Sequence, residues 1–318
     1  MSEEFSTVEA AVAALVSNEA ELTALDLSCM NIGDVGAAAL ADALKINTNL
    51  TALGLWECGI GEAGGASLAK AMQENTTLTL VDVCNNRLGD AGAAAMAAAV
   101  KVSTTLTVLG LRGIGIRDEG AAALANAVKI STSLAVLDIS FNSITETGAR
   151  EVADALKAST TLTALDFCGS SIGDAGAAEL AHALKENTTL TALDLHGSSI
   201  RDAGAMALAD ALRVSTTLTS LQLHDNKFGE AGAAALADAL LANTTLTDLE
   251  LKFTQGVGDA ERVYGMECAL ARNREFAART PAKRVDAALA FVVLHAAARD
   301  WAPPNVVVSV LAALRPRP

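Results

Sequence analysis

Three side chains able to hold a soft cation share one spacing: Cys168, His196 and His224 stand 28 residues apart. A thiol and two imidazoles are donor types that zinc prefers. Equal spacing would place them on successive strands if the chain repeats with that period, with Asp194 close by. Trp56 and Arg112 fall in the same 28-residue register, and both residue types are enriched at binding hot spots. Phe141 and Phe253 follow one place further on. Other chemistry finds less support. Gly59-Ile60-Gly61-Glu62-Ala63-Gly64 matches the G-x-G-x-x-G fingerprint of dinucleotide sites. Glu62, however, would repel a phosphate at that helix start. The glycine pair also recurs as Gly33/Gly36, Gly89/Gly92 and Gly173/Gly176. His182 and His295 lack a Ser or Cys nucleophile at a strand-to-helix elbow. The expectation is a chain with no enzymatic activity of its own and no cofactor. No bound metal is expected either, and Cys168, His196 and His224 are the one candidate set.

What must position these residues is the repeat itself. A leucine opens the same phrase at Leu22, Leu50, Leu78, Leu106, Leu134, Leu162, Leu190, Leu218 and Leu246, always 28 residues on. A fixed period of this length marks a solenoid. In Leu22-Thr23-Ala24-Leu25-Asp26-Leu27, Leu25 and Leu27 lie two apart, which is the strand period, so both face the core and Asp26 faces out. Ile32 and its counterparts anchor the following loop. Asp34 then precedes an apolar run, where an acid suits the N-cap or first turn of the helix, meeting free N–H groups and the positive dipole end. Gly36 recurs in the first eight units. Its cost in a helix, about 1 kcal/mol relative to Ala, implies close backbone packing. Leu40 and Leu44 mark the buried helical face. Asn47-Thr48-Asn49 should end the helix, with Asn in the left-handed conformation. Val12 and Val16 fall 28 residues before Leu40 and Leu44, so residues 1–21 read as a partial unit capping the array. Residues 22–273 form nine units, and residues 274–318 form a helical C-terminal cap.

The in-register motif Leu22-x-x-Leu25-x-Leu27, then Ile32-x-x-x-Gly36-x-x-x-Leu40-x-x-x-Leu44, resembles the leucine-rich repeat of ribonuclease-inhibitor type. The repeat regions of NOD-like receptors and Ran GTPase-activating proteins are similar. The resemblance covers about four fifths of the chain. It implies an α/β right-handed solenoid shaped as a horseshoe, with parallel strands on the concave face and helices on the convex face. It also implies protein binding on the concave face. The family's loop Asn or Cys is kept as Cys58, Asn86, Asn142 and Asn226, and replaced by Met30, Ile114, Ser170 and Ser198.

Two outward places per strand then define a candidate surface. The middle one runs Asp26, Gly54, Asp82, Gly110, Asp138, Asp166, Asp194, Gln222 and Glu250. Read as an acidic ladder, it would present a negative field that steers a basic partner. The next place varies: Ser28, Trp56, Cys84, Arg112, Ser140, Cys168, His196, His224 and Lys252. The expected partner-binding residues are Trp56, Asp82, Arg112, Asp138, Phe141, Asp166, Asp194, His196, His224, Glu250 and Lys252.

Composition narrows the class of partner. The 318 residues hold 23 Lys+Arg and 37 Asp+Glu, a formal charge of −14, with 51% hydrophobic and 3% aromatic residues. An acidic chain is a poor ligand for nucleic acid or anionic lipid. From residue 261 on, nine basic residues face five acidic ones, so the first 260 residues carry all of the net negative charge. Acids at Glu3 and Glu4 stand where a secretory leader would be positive. Five cysteines without paired spacing fit a reducing, cytoplasmic setting. The expected function is a non-enzymatic scaffold for a protein partner, with the charge favouring a basic one. The alternative is a regulator, inhibiting or activating an enzyme such as a nuclease or small GTPase. The four Asn-x-Thr sequons, at Asn49, Asn75, Asn187 and Asn243, read as repeated loop chemistry.

Overall fold

The computed structural model describes residues 7–251 and 260–278. Helix α1 (Val8–Ser17) precedes a strict alternation of strands and helices. The first units are β1 (Ala24–Asp26), α2 (Gly33–Leu44), β2 (Ala52–Gly54), α3 (Glu62–Glu74), β3 (Leu80–Asp82) and α4 (Gly89–Val102). The central ones are β4 (Val108–Gly110), α5 (Asp118–Val128), β5 (Val136–Asp138), α6 (Glu146–Ala158), β6 (Ala164–Asp166) and α7 (Gly173–Glu186). β7 (Ala192–Asp194), α8 (Asp202–Leu212), β8 (Ser220–Gln222), α9 (Glu230–Ala242), β9 (Asp248–Glu250) and α10 (Ala260–Ala278) complete the described chain. The nine strands form one open parallel sheet in sequence order. The register advances by one unit per strand, Leu25 against Leu53 and onward to Leu221 against Leu249.

The core lies between sheet and helices. Leu25, Leu27, Leu40, Leu44 and Leu50 are buried with their counterparts in a continuous cluster. Small residues let the layers close. A Cβ on Gly64 would meet Ala37 Cβ at 3.0 Å, and one on Gly232 would meet Ala205 Cβ at 2.9 Å. The recurring first-turn glycine therefore admits the preceding helix, as its sequence position implied.

Polar ladders tie each unit to the one before. The Thr51 hydroxyl donates to the Thr23 carbonyl, and Thr79, Thr107, Thr191, Thr219 and Thr247 repeat the bond along the sheet. In the loops, Asn86 Oδ1 accepts the N–H groups of Cys58 and Ile60, while its Nδ2 donates to the Leu55 carbonyl. Asn142 and Asn226 do the same.

Three local expectations are corrected. Asn75, Asn187 and Asn243 end their helices in extended, not left-handed, conformation. Their side chains close the turn instead. Asn75 Oδ1 accepts from the N–H groups of Thr77 and Leu78, and its Nδ2 donates to the Leu44 carbonyl of the unit before. This is Asx-turn chemistry. These three sequon nitrogens are buried and already hydrogen-bonded. Secondly, Val16 is exposed, and Ala11 and Leu15 take the inward places of α1. Asn47 Nδ2 reaches the Leu15 carbonyl where Asn75 reaches that of Leu44, so the first step is one residue longer than the repeat.

The third correction concerns capping: the acid at each helix start does lie in the first turn of its own helix, as expected, but its hydrogen bonds go elsewhere. Asp34 does not cap its own helix α2, whose preceding residue Ile32 makes no side-chain cap. Its Oδ1 accepts the N–H groups of Gly61 and Gly64, at the start of α3 in the next unit. Asp90, Asp118, Asp174 and Asp202 cap the next helix in the same way. Glu62 and Glu146 form no such bond among the described residues; their side chain is one methylene longer. The helices that follow them, α4 and α7, open on left-handed Gly89 and Gly173, as α2 opens on Gly33. These glycines turn their N–H forward to the carbonyls of Ile114, Ser198 and Cys58. Arg117, Thr145 and Arg201 occupy the same place only where a capped, extended backbone spares them positive φ.

Candidate functional site

The sheet face away from the core has three columns of side chains. The first, Ala24, Ala52, Leu80, Val108, Val136, Ala164 and Ala192, is an apolar band packed as its own cluster. Alternation with the core leucines places it there, although the sequence reading began with the next column.

That middle column is not the open acidic ladder expected. Asp138 and Asp166 are 2% exposed and Asp194 is fully buried. Strands about 4.8 Å apart, flanked by a column on each side, leave little room for water. The carboxylates instead serve the backbone. Asp138 Oδ1 accepts the N–H of Ser140 at 2.9 Å and its hydroxyl at 2.6 Å. Asp82, Asp166 and Asp194 accept the N–H two residues on, from Cys84, Cys168 and His196. Each acid thus turns the chain out of its strand. Asp82 stays half-buried, and its carboxyl is raised by desolvation. Burial and then the neighbouring Asp166 carboxylate push Asp138 up to about 8, against the pull of Arg112.

The third column carries the variable residues. Arg112, Phe141, His196 and His224, separate in sequence, meet in one ridge. The Arg112 guanidinium lies 4.1 Å from the Phe141 ring centroid, a cation–π distance. Phe141 meets His196 edge-on at 5.9 Å, and His196 stacks on His224 at 4.3 Å with the rings 7° apart. His196 Nδ1 sits 3.0 Å from Asp194 Oδ1, and His224 Nδ1 sits 3.8 Å from Glu250 Oε2. Phe141 is 46% exposed at φ 52°, a backbone conformation that bulky residues rarely take. Its ring lies where a Cβ on Gly169 would fall, 2.9 Å from Phe141 Cδ1. Glycine at 169 provides the bed for the aromatic ring.

Other expected residues stand apart. Trp56 is half-buried beside β2, outside the ridge. Lys252, Phe253 and His295 lie outside the described residues, as does nearly all of the 274–318 region read as a cap; α10 itself runs through residue 273 to Ala278. His182 is exposed on α7, 3.5 Å from Glu186. In the Gly59–Gly64 fingerprint, the Gly61 and Gly64 amides are occupied by Asp34 and that of Ile60 by Asn86.

Of the expected metal strip, Cys168 and His196 converge, joined by Asp194. One ligand atom from each lies within 4.8 Å of the others. His224 takes the stacking place instead. Cys168 is fully buried, and burial followed by the Asp166 and Asp194 charges drives its thiol far up. Cys84 moves the same way for the same first cause, and Cys58 reaches about 11.

This architecture is that of a repeat array whose sheet face carries the variable side chains. The leucine rich repeat profile matches residues 22–41, 74–97, 102–125, 131–153, 158–181, 186–209 and 214–237, together half of the chain. The chain belongs to the leucine rich repeat family. Among solved structures, leiomodin-1 actin-binding site 2 is similar at 26% identity and TM-score 0.41, over 45% of this chain and 83% of that one. The tropomodulin C-terminal domain of Caenorhabditis elegans is similar at 16% identity and TM-score 0.44, over 51% of this chain and 95% of that one. No curated protein matches the sequence. Among the described residues, no helix is long and apolar enough to cross a membrane.

Proposed function

We propose that the protein is a non-enzymatic interaction scaffold that seats a protein partner on its strand face, with the Arg112–Phe141–His196–His224 ridge as the anchor. The exposed Phe141 ring carries this reading. The repeat fold dictates glycine or a polar residue at most counterparts of this place, such as Asn85, Gly113, Gly169, Gly197 and Asp225, all with positive φ. A phenylalanine there accepts backbone strain of about 1–2 kcal/mol without joining the core. Aromatic and Arg side chains at the centre of a recognition face are the usual hot spots. The acidic chain, at −14 overall, favours a basic partner through long-range steering, although Asp138, Asp166 and Asp194 on the strand face are buried. The 28-residue unit supports the ribonuclease-inhibitor-like subtype, and the unpaired thiols fit a cytoplasmic setting.

Affinity capture on the full chain, with salt elution and quantitative mass spectrometry, identifies the partner. Phe141→Ala should weaken it by about 30-fold, the effect of a 2 kcal/mol hot spot. If every captured protein binds the variant and the parent equally, the ridge is not the anchor.

A further inference from the structure

We propose that Cys168, Asp194 and His196 form a zinc-type divalent cation site on the strand face, which shares His196 with the ridge but does not need the ridge's partner to bind the ion. Three observations meet here. The donor atoms of these side chains come from two adjacent units and lie within 4.8 Å of one another. Tetrahedral zinc, with bonds of about 2.0–2.3 Å, needs ligand atoms somewhat closer than that. Small side-chain rotations supply the difference.

The second observation is the donor set. Thiolate, imidazole and carboxylate together suit zinc, whereas calcium and magnesium take oxygen alone. His224, which shares their register, is stacked flat on His196 and faces Glu250. It orients the His196 ring and does not complete the set. Three protein ligands leave a fourth position for water or for a donor on a bound protein.

The third is charge. Cys168 and Asp194 are buried, and Asp138 and Asp166 follow in the same column, also buried. Arg112 is the cation whose field reaches Asp138. A divalent ion bound here would stabilise the Asp194 carboxylate and the Cys168 thiolate by opposite charge. Binding replaces the contact between His196 Nδ1 and Asp194 Oδ1. The Cys168 thiol loses its proton to solvent as the sulfur–metal bond forms.

The full chain carrying Cys29→Ser and Cys268→Ser removes the two exposed thiols and serves as the parent for the test. After treatment with chelator, it is titrated with Zn2+ by calorimetry and with Co2+ by absorbance. One Co2+ per chain should bind, with the thiolate-to-cobalt charge-transfer band that only a cysteine ligand gives. Cys168→Ser should abolish the band and weaken zinc by at least about 100-fold. His224→Gln and Phe141→Ala should keep the band, which separates metal binding from the part of the proposed protein anchor that lies outside His196. If circular dichroism shows that Cys168→Ser does not fold, Asp194→Asn is read by the same loss of zinc affinity. A folded parent that gives neither heat nor band overturns the proposal, as does a band that survives Cys168→Ser or zinc affinity unchanged by Asp194→Asn.

Discussion

The two halves of the strand face solve the same electrostatic problem differently. In β1 to β4 the middle place alternates acid and glycine: Asp26, Gly54, Asp82, Gly110. A Cβ on Gly54 would lie 2.8 Å from Asp26 Oδ1, and one on Gly110 would lie 3.1 Å from Asp82 Oδ1. Each carboxylate therefore leans into space its neighbour leaves open, and successive acids are two strands apart. In β5 to β7 three acids stand in a row, at Asp138, Asp166 and Asp194, all buried. The strand pairing is the same in both halves. The backbone thus does not require the crowding. One acid per strand meets its need for an acceptor, but nothing in the fold requires acids on adjacent strands, so their concentration is particular to β5, β6 and β7.

Moving the crowding into the dilute half should have the largest effect. Gly54→Asp places a second carboxylate against Asp26 and fills space the first one uses. Overpacking costs about 1–3 kcal/mol and a poorly paired buried charge several more, so we expect a loss of about 4 kcal/mol in urea unfolding. A loss under 1 kcal/mol would mean the alternation has no electrostatic purpose.

Relieving the crowded half should act in the opposite sense, and with pH. The folded-state carboxyl of Asp138 sits near 8, above its ordinary value of 3.8. Such a group contributes stability below the ordinary value and loses it as pH rises through the folded one. Metal-free protein should therefore weaken between about pH 4 and pH 8. Asp138→Asn keeps an acceptor for Ser140 and removes the charge. It should be more stable than the parent by about 2 kcal/mol near pH 9 and no more stable near pH 4. Equal curves for the two proteins would place the strain elsewhere.

The smallest effect tests whether the halves differ anywhere else. Asp90→Ala and Asp174→Ala each remove a cap from the helix of the next unit, and each should cost about 1 kcal/mol. Glu62→Ala, which removes no cap, should cost close to nothing. Unequal costs for the two aspartates would show that the contrast extends beyond the strand face.

The fold was legible because period, strand alternation and helical spacing all repeat in the sequence: Leu25 and Leu27 inward, Leu40 and Leu44 on one face. The ridge was half legible. Its residue types stood out at Arg112, Phe141, His196 and His224, but their mutual contacts depend on Gly169 yielding space and on Phe141 taking positive φ. Burial of the acid column was not legible, since an outward place on a strand says nothing of how closely its neighbours crowd it. Nor were the caps. Asp34 sits at the right place for its own helix, yet its partners lie 27 and 30 residues ahead. A residue that looks local in sequence can be a cross-brace when the repeat brings the next unit alongside.

Those cross-braces also divide the array. Asp34 binds the first unit to the second. Asp90 and Asp118 link the third to the fourth and the fourth to the fifth, and Asp174 and Asp202 link the sixth to the eighth. Glu62 and Glu146 interrupt the series, and a left-handed glycine follows each, in the third and sixth units. The solenoid is thus punctuated rather than uniform, with seams every three units where one fastening is missing. Under tension or at partial unfolding, those joints should part first, and the array should come apart into units one and two, three to five, and six to eight.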